Sequence, residues 1–259
     1  MATANATTQD FTKKTFKRRL EDFWRYVKRN PSLGVGLGLF LSLFLFVAIG
    51  YATYEVERYR PLSGGPDLAP FEKDSYNPTT RANGYILGTD RQGRDVMAVM
   101  IAGIPLTLQI GLIAGLIGIT VGTILAFMAA YYGGWIDQVI STIVDVGLTI
   151  PGILILIVIA VNLQSGLSVP QMGLAVSAVA WVWPARTIRS QVLVMREQLY
   201  VEIARLSGTS GFSIMFKEML PNLAPYIGAS LVGSVASAIL ASVGLEALGL
   251  GPFDSPTLG

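Results

Sequence analysis

The chain has 259 residues, of which 52% are hydrophobic and only 14% charged, with a mean hydropathy of +0.54. An ordinary soluble domain carries about 25% charged residues, so these values exclude one and point to an integral membrane protein. Neither cysteine nor histidine is present, which rules out disulfides, thiolate or imidazole metal ligands and imidazole pH switches, and a net charge of +2 defines no partner.

Residues 1–31 carry Lys13, Lys14, Lys17, Arg18, Arg19, Arg25, Lys28 and Arg29 against Asp10, Glu21 and Asp22. This basic lead-in is too long and too mixed for the n-region of a secretory signal. No small-residue cleavage site follows the next apolar run, so the segment is expected to be retained, touching anionic lipid headgroups. Residues 32–54 form the first expected span, with an uncharged core from Leu33 to Tyr51. About twenty such residues cover a hydrocarbon core of roughly 30 Å. Residues 55–103 then change character, with Pro61, Gly64, Gly65, Pro66, Pro70 and Pro78 among mixed charges, and read as a loop outside the bilayer.

Four further apolar runs follow within 104–259: Ile104 to Ala130, Val139 to Asn162, Met172 to Ala185 with its continuation, and Leu223 to Gly249. Five spans place 131–138 and 186–222 on the same side as the first terminus. That side holds thirteen of the nineteen cations, eight in the lead-in and five from Arg186 to Lys217, while the six cations of the 55–103 loop are outnumbered by seven acids. The positive-inside rule therefore puts the first terminus in the cytoplasm and the long loop outside.

Within the spans, Gly111, Gly115, Gly118 and Gly122 permit close helix contact. Asp145 is an intramembrane charge, expensive enough to require a reason. Two are open: a structural pairing with a neighbouring helix, Arg186 or Arg189, or a direct place on a substrate path. Glu246 is expected to be interfacial and structural. In the external loop, Asp90, Arg91, Arg94 and Asp95 are close enough in sequence to pair with one another and order the entry to the second span. The competing reading is a contact with an external protein.

The stretch Tyr200 to Asn222 is a polar, glycine-broken insert between apolar runs. Val201, Ala204 and the Ile203/Leu206 pair recur at helical spacing, as do Phe212, Met215, Phe216 and Met219. Gly208-Thr209-Ser210-Gly211 separates them, with glycine permitting the turn and Thr209 or Ser210 capping the second helix. The pattern predicts a helix, a tight break, a short helix and a stop at Pro221, built to present a small helix to something. The plain alternative is an amphipathic helix lying on lipid. No GxxxxGK[ST] phosphate loop occurs, so any ATP-driven work must draw on another subunit.

Tyr85-Ile-Leu-Gly88-Thr89-Asp90-Arg-Gln-Gly93-Arg94-Asp95 resembles the LGTDxxGRD signature of permease subunits of dipeptide, oligopeptide and nickel ABC importers. Glu202-Ile-Ala204 with Gly208, followed by Leu220-Pro221, is similar to the EAA loop of such permeases. Tyr131-Tyr-Gly133-Gly134-Trp135-Ile-Asp137, Val144-Asp145 before Pro151, Trp181 with Arg186 and Arg189, and Leu248-Gly-Leu-Gly251 also fall where that family has similar residues. The resemblance runs from about Tyr85 to the end. Ile203 departs from it by bulk and Glu218 by charge.

The resemblance implies an all-α polytopic fold, the transmembrane domain of a type I ABC importer, in a prokaryotic cell membrane. Five spans are present where the family has a sixth beyond Gly259, which points to a truncated sequence. It further implies an EAA coupling loop over about 196–222, in which Glu202, Ala204, Gly208, Phe212, Met215, Phe216 and Pro221 dock on an ATPase. Gly88, Thr89, Asp90, Gly93, Arg94 and Asp95 are its external signature. The implied partners are a second permease in a heterodimer, two ATPase subunits or domains and an external substrate-binding protein, besides lipid, with no nucleic acid. ATP and Mg sit on the ATPase, and this chain binds no cofactor and is no enzyme. Its cargo would be short peptides, with nickel chelates or oligosaccharides open. A proton- or ion-coupled secondary transporter or channel subunit using Asp145 is the competing class. An intramembrane protease is excluded by the missing histidine and by a single acid well inside a span.

Overall fold

The computed structural model describes residues 21–72, 85–162, 167–252 and 255–257. Lys13, Lys14, Lys17, Arg18 and Arg19 of the basic lead-in lie outside them. The chain divides into two compact units, residues up to Tyr54 and residues from Glu55 onward. In the first unit residues 21–29 are helical, and α1 (Pro31–Thr53) comes next, with Pro31 in its first turn. A proline is harmless there because that N–H has no helical acceptor to meet. At 1.5 Å per residue α1 reaches about 35 Å, enough for one crossing.

The second unit is built on α2 (Val96–Tyr132) and α8 (Gly211–Ala247), each 37 residues long. They run antiparallel. A Cβ built on Gly111 would lie 2.5 Å from Ile239, and one on Gly115 would lie 2.6 Å from Val235, so ascending positions on one helix meet descending positions on the other. Small residues let the two backbones approach this closely. The next pair in the same row has a different neighbour. Gly118 abuts Ala180, and Gly122 abuts Trp181, Pro184 and Ala185, at the junction of α5 (Val169–Ala180) and α6 (Val182–Arg196). One glycine row thus seats two elements in succession.

The expected boundaries change in four places. Helix α2 begins at Val96 rather than near Ile104, because the Asp95 carboxylate accepts a hydrogen bond from the Met97 N–H and caps it. The third expected span breaks into α3 (Gly134–Thr149) and α4 (Gly152–Asn162), bent by 82°. Pro151 lacks an N–H and pushes Ile150 into an extended conformation (φ −81°, ψ 125°). The fourth breaks at Trp181, since Pro184 cannot donate to the carbonyl of Ala180. The stop expected at Pro221 is absent: α8 passes through it, by way of a wider π-helical turn over Ile214–Met219 in which the Leu220 N–H reaches the Met215 carbonyl. That turn absorbs the hydrogen bond a proline cannot make. Among the described residues three helices are long and apolar enough to cross a membrane, or four if the bent α3–α4 pair counts as one, against five expected.

At about 55 Å, α2 overreaches a hydrocarbon core of roughly 30 Å, so its two ends project beyond it. The 85–95 loop lies at one end and the short helix α7 (Leu199–Leu206) at the other.

Candidate functional site

At the loop end the signature residues form a closed knot. Thr89 is buried and its hydroxyl donates to the Gly65 carbonyl at 2.5 Å while accepting from the Leu68 N–H at 2.9 Å. The Asp90 carboxylate accepts from the N–H groups of Gln92 and Arg94, both at 2.9 Å, and from the Arg94 guanidinium at 2.6 Å. Gly93 has φ +69°, and a Cβ there would lie 2.3 Å from the Gly64 carbonyl oxygen. Gly88 is tied in by Val96, whose N–H donates to its carbonyl. Asp95 is fully buried. All six signature residues thus serve the order of this loop through bonds seen here, and Gly88 shares with Gly93 the left-handed backbone (φ +77°). Asp95→Ala is accordingly expected to lose about 1–2 kcal/mol with the cap. Its readout is a lower unfolding midpoint and less subunit in the membrane, and transport lost at full membrane abundance would contradict it.

At the other end α7 is pinned from one side. Val201 is fully buried among Phe127, Ile188, Val192, Ile214 and Met219, drawn from α2, α6 and α8, while Tyr200 and Ala204 pack half-buried against the same cluster. Arg205 places its guanidinium over the Tyr131 ring at 5.3 Å, a cation–π contact. Arg196 donates to the Ala130 carbonyl at 2.9 Å, tying the end of α6 to the end of α2. Gly208 (φ +75°) then closes the helix: its N–H bonds to Arg205 O and that of Thr209 to Ala204 O, the paired pattern of a Schellman cap. Ser210 caps α8 by accepting from the Ser213 N–H.

The opposite side of α7 is bare. Leu199, Ile203 and Leu206 are 69%, 54% and 82% exposed. At 100° per residue these three fall within about 60° of one another and far from Val201. Ile203 and Leu206 therefore do not share a stripe with Val201, as their spacing first suggested. A wheel drawn for the eight residues of α7 alone would have separated them, and Leu199 would have joined the outer set. Glu202 is exposed beside this stripe and pairs with no cation among the described residues.

Of the second expected apolar set, Phe212 and Phe216 are exposed and stack with centroids 4.5 Å apart, whereas Met215 and Met219 are buried in the core. Met215 is thus brought to the packing side rather than to the exposed aromatic pair. Pro221 and Glu218 are exposed, and the Glu218 carbonyl accepts from Asn222.

Between the two ends, α3 and α6 are joined by two ion pairs. Arg189 grips Asp137 through two hydrogen bonds of 2.6 Å. Arg186 meets Asp145 at 3.1 Å, so this acid does have an arginine partner across the helix pair. The first pair is largely covered; in the second both side chains are 62% exposed.

Residues 118–258 match the family described as "binding-protein-dependent transport system inner membrane component". The glutathione transport system permease protein GsiD of Pectobacterium atrosepticum is 29% identical over 243 residues, 92% of this chain and 75% of that protein. GsiD of Escherichia coli O6:K15:H31 is 30% identical over 236 residues, 89% of this chain and 72% of that protein. The dipeptide transport system permease protein DppC of Bacillus subtilis is 32% identical over 242 residues, 91% and 70%.

Proposed function

Because this chain belongs to the binding-protein-dependent transport system inner membrane component family, and is a membrane-embedded permease component of a transporter, we propose that it works as one half of an ATP-driven importer for short peptides. The peptide reading rests on the names of its relatives, which handle glutathione and dipeptides. The chain pairs with a second permease, takes solute from an external binding protein and draws its energy from two ATPase subunits. Its first terminus and α7 lie in the cytoplasm, and the 85–95 loop lies outside.

The observation that carries this reading is the two-sided character of α7. An eight-residue helix is too short to hold itself together in water, so tertiary packing must fix it. Val201 supplies that anchor, and Leu199, Ile203 and Leu206 are left as an apolar ridge with Glu202 at its edge. Such a ridge fits a groove on an ATPase. Phe212 and Phe216, at the start of α8, add an exposed aromatic pair. When the ATPase halves close on ATP, a push on α7 passes through Val201 into α2, α6 and α8 together, and the helices pivot as a body. Gly208, in its Schellman cap, holds the angle between α7 and α8.

The test is co-purification. Leu206→Asp combined with Ile203→Asp is expected to reduce the ATPase recovered with the subunit by at least tenfold while leaving its membrane abundance unchanged, since neither side chain is buried. Undiminished recovery sinks the docking assignment. Uptake that survives removal of the ATPase while a proton gradient is intact sinks the importer reading altogether.

A further inference from the structure

Helix α3 has two exposed sides of opposite chemistry. Val139, Ile143 and Val146 make an apolar side, as a lipid contact requires. Gln138, Thr142, Asp145 and Thr149, spaced by four, three and four residues, make an adjacent polar side that is equally exposed. Across the helix pair, α6 carries its own exposed polar residues, Arg186 and Ser190, and Arg186 bonds Asp145. The two polar strips therefore join into one seam.

Hydrocarbon would cover that seam only at a cost that grows with its depth. Each charged side chain placed at the centre of a bilayer costs roughly 2.5–3.5 kcal/mol even on lenient scales. Asp145 and Arg186 are each 62% exposed, Asp145 about 16 Å along α3 from its start. Behind the pair lies a recess of about 120 Å³ lined by Ser141, Asp145, Arg186 and Arg189 with Ile140, Val144 and Ala185. At about 30 Å³ per water it has room for a few waters or one charged end group, not for a whole peptide.

We propose, building on the permease reading, that this seam is a wall of the aqueous path and that Asp145 and Arg186 form a solute site on it for zwitterions. The carboxylate takes an ammonium group and the guanidinium takes a carboxylate, the two charges that a free peptide carries at its ends. A planar guanidinium suits the second task because it meets a carboxylate in two parallel hydrogen bonds. In the empty state the two side chains satisfy each other, so neither charge is left orphaned while the path awaits solute. Their shared exposure makes that bond cheap to exchange, unlike the two-point grip of Arg189 on Asp137.

This chain contains no cysteine, so each introduced thiol is its only one, and the same assembly without an introduced cysteine is the labelling blank. The subunit is assembled with its partner subunits in vesicles and treated with a charged, membrane-impermeant methanethiosulfonate. Thr142→Cys and Ser190→Cys are expected to react at least tenfold faster than Ile143→Cys on the apolar side of α3. Alanylalanine, used as the probe, is expected to slow both reactions severalfold, while its N-acetylated, C-amidated form does not. Asp145→Asn with Arg186→Gln removes both charges at once, orphans neither, and should abolish that protection. Equal or absent labelling on the two sides of α3 overturns the seam as a wall. Fast labelling without protection, or protection that persists in the double variant, overturns the solute site. Because ATPase recovery is measured on the same preparations, loss of the importer reading is seen separately from either result.

Discussion

Gly122→Val is expected to destabilise the subunit by about 3 kcal/mol, near the upper end of ordinary overpacking. A Cβ at this position would lie 2.9 Å from the Ala185 nitrogen and 2.9 Å from the Trp181 oxygen, with the Pro184 ring at 2.8 Å. Two of those three neighbours are backbone, and the third is a ring that cannot swing away. Relief therefore requires the α5–α6 junction itself to move off α2. The measurement is the unfolding midpoint in detergent together with membrane abundance. Gly228→Val, at a position with nothing within 4 Å, is the matched control and should change stability little. If the two variants behave alike, the glycine row is not what seats α6.

Arg189→Ala is expected to cost about 1–2 kcal/mol, below the penalty for orphaning one member of a fully buried ion pair because this one is partly exposed. Asp137 is 23% exposed, and its two oxygens accept both of the arginine's hydrogen bonds, with Ser141 as its other partner at 3.2 Å. Removing the arginine leaves that charge inside the α3–α6 contact. The double variant Asp137→Ala with Arg189→Ala should be more stable than Arg189→Ala alone, because no lone charge remains. A double variant no better than the single one would mean that the arginine acts through packing of its stem. The exposed pair Asp145–Arg186 offers the comparison: Arg186→Ala should cost far less stability.

The sequence made legible the features that composition and period carry. The apolar runs, the polar insert near Gly208, the glycine row on the second span and the need of Asp145 for a partner all come from residue type and spacing. The features it left open depend on geometry between elements. Arg186 and Arg189 lie one turn apart on one helix, and either could be matched with Asp145 by spacing alone. Only the rotation of α6 against α3 gives Asp137 to Arg189 and Asp145 to Arg186. The side of α7 that turns inward is likewise fixed by where Phe127 and Ile188 stand, residues far away in the chain. The two prolines mislead in opposite directions, Pro151 lying within one expected span and Pro221 at an expected stop. At Pro151 no hydrogen-bond rearrangement rescues the helix, and it bends. At Pro221 the wide turn just before it does, and the helix continues, which propensity cannot distinguish.

The wide turn over Ile214–Met219 sets a rotational phase. A turn that takes up an extra residue twists everything before it, relative to everything after it, by about 100° from the continuation of an ordinary helix. Phe212 and Phe216 are thereby aimed independently of Leu223 and the long glycine- and serine-lined face beyond it. The direction in which the exposed aromatic pair looks is a matter of counting backbone hydrogen bonds, while the packing of the long helix against α2 is a matter of side-chain size. The two can vary separately, so the direction of the exposed aromatic pair can change without rebuilding the packing of the long helix against α2.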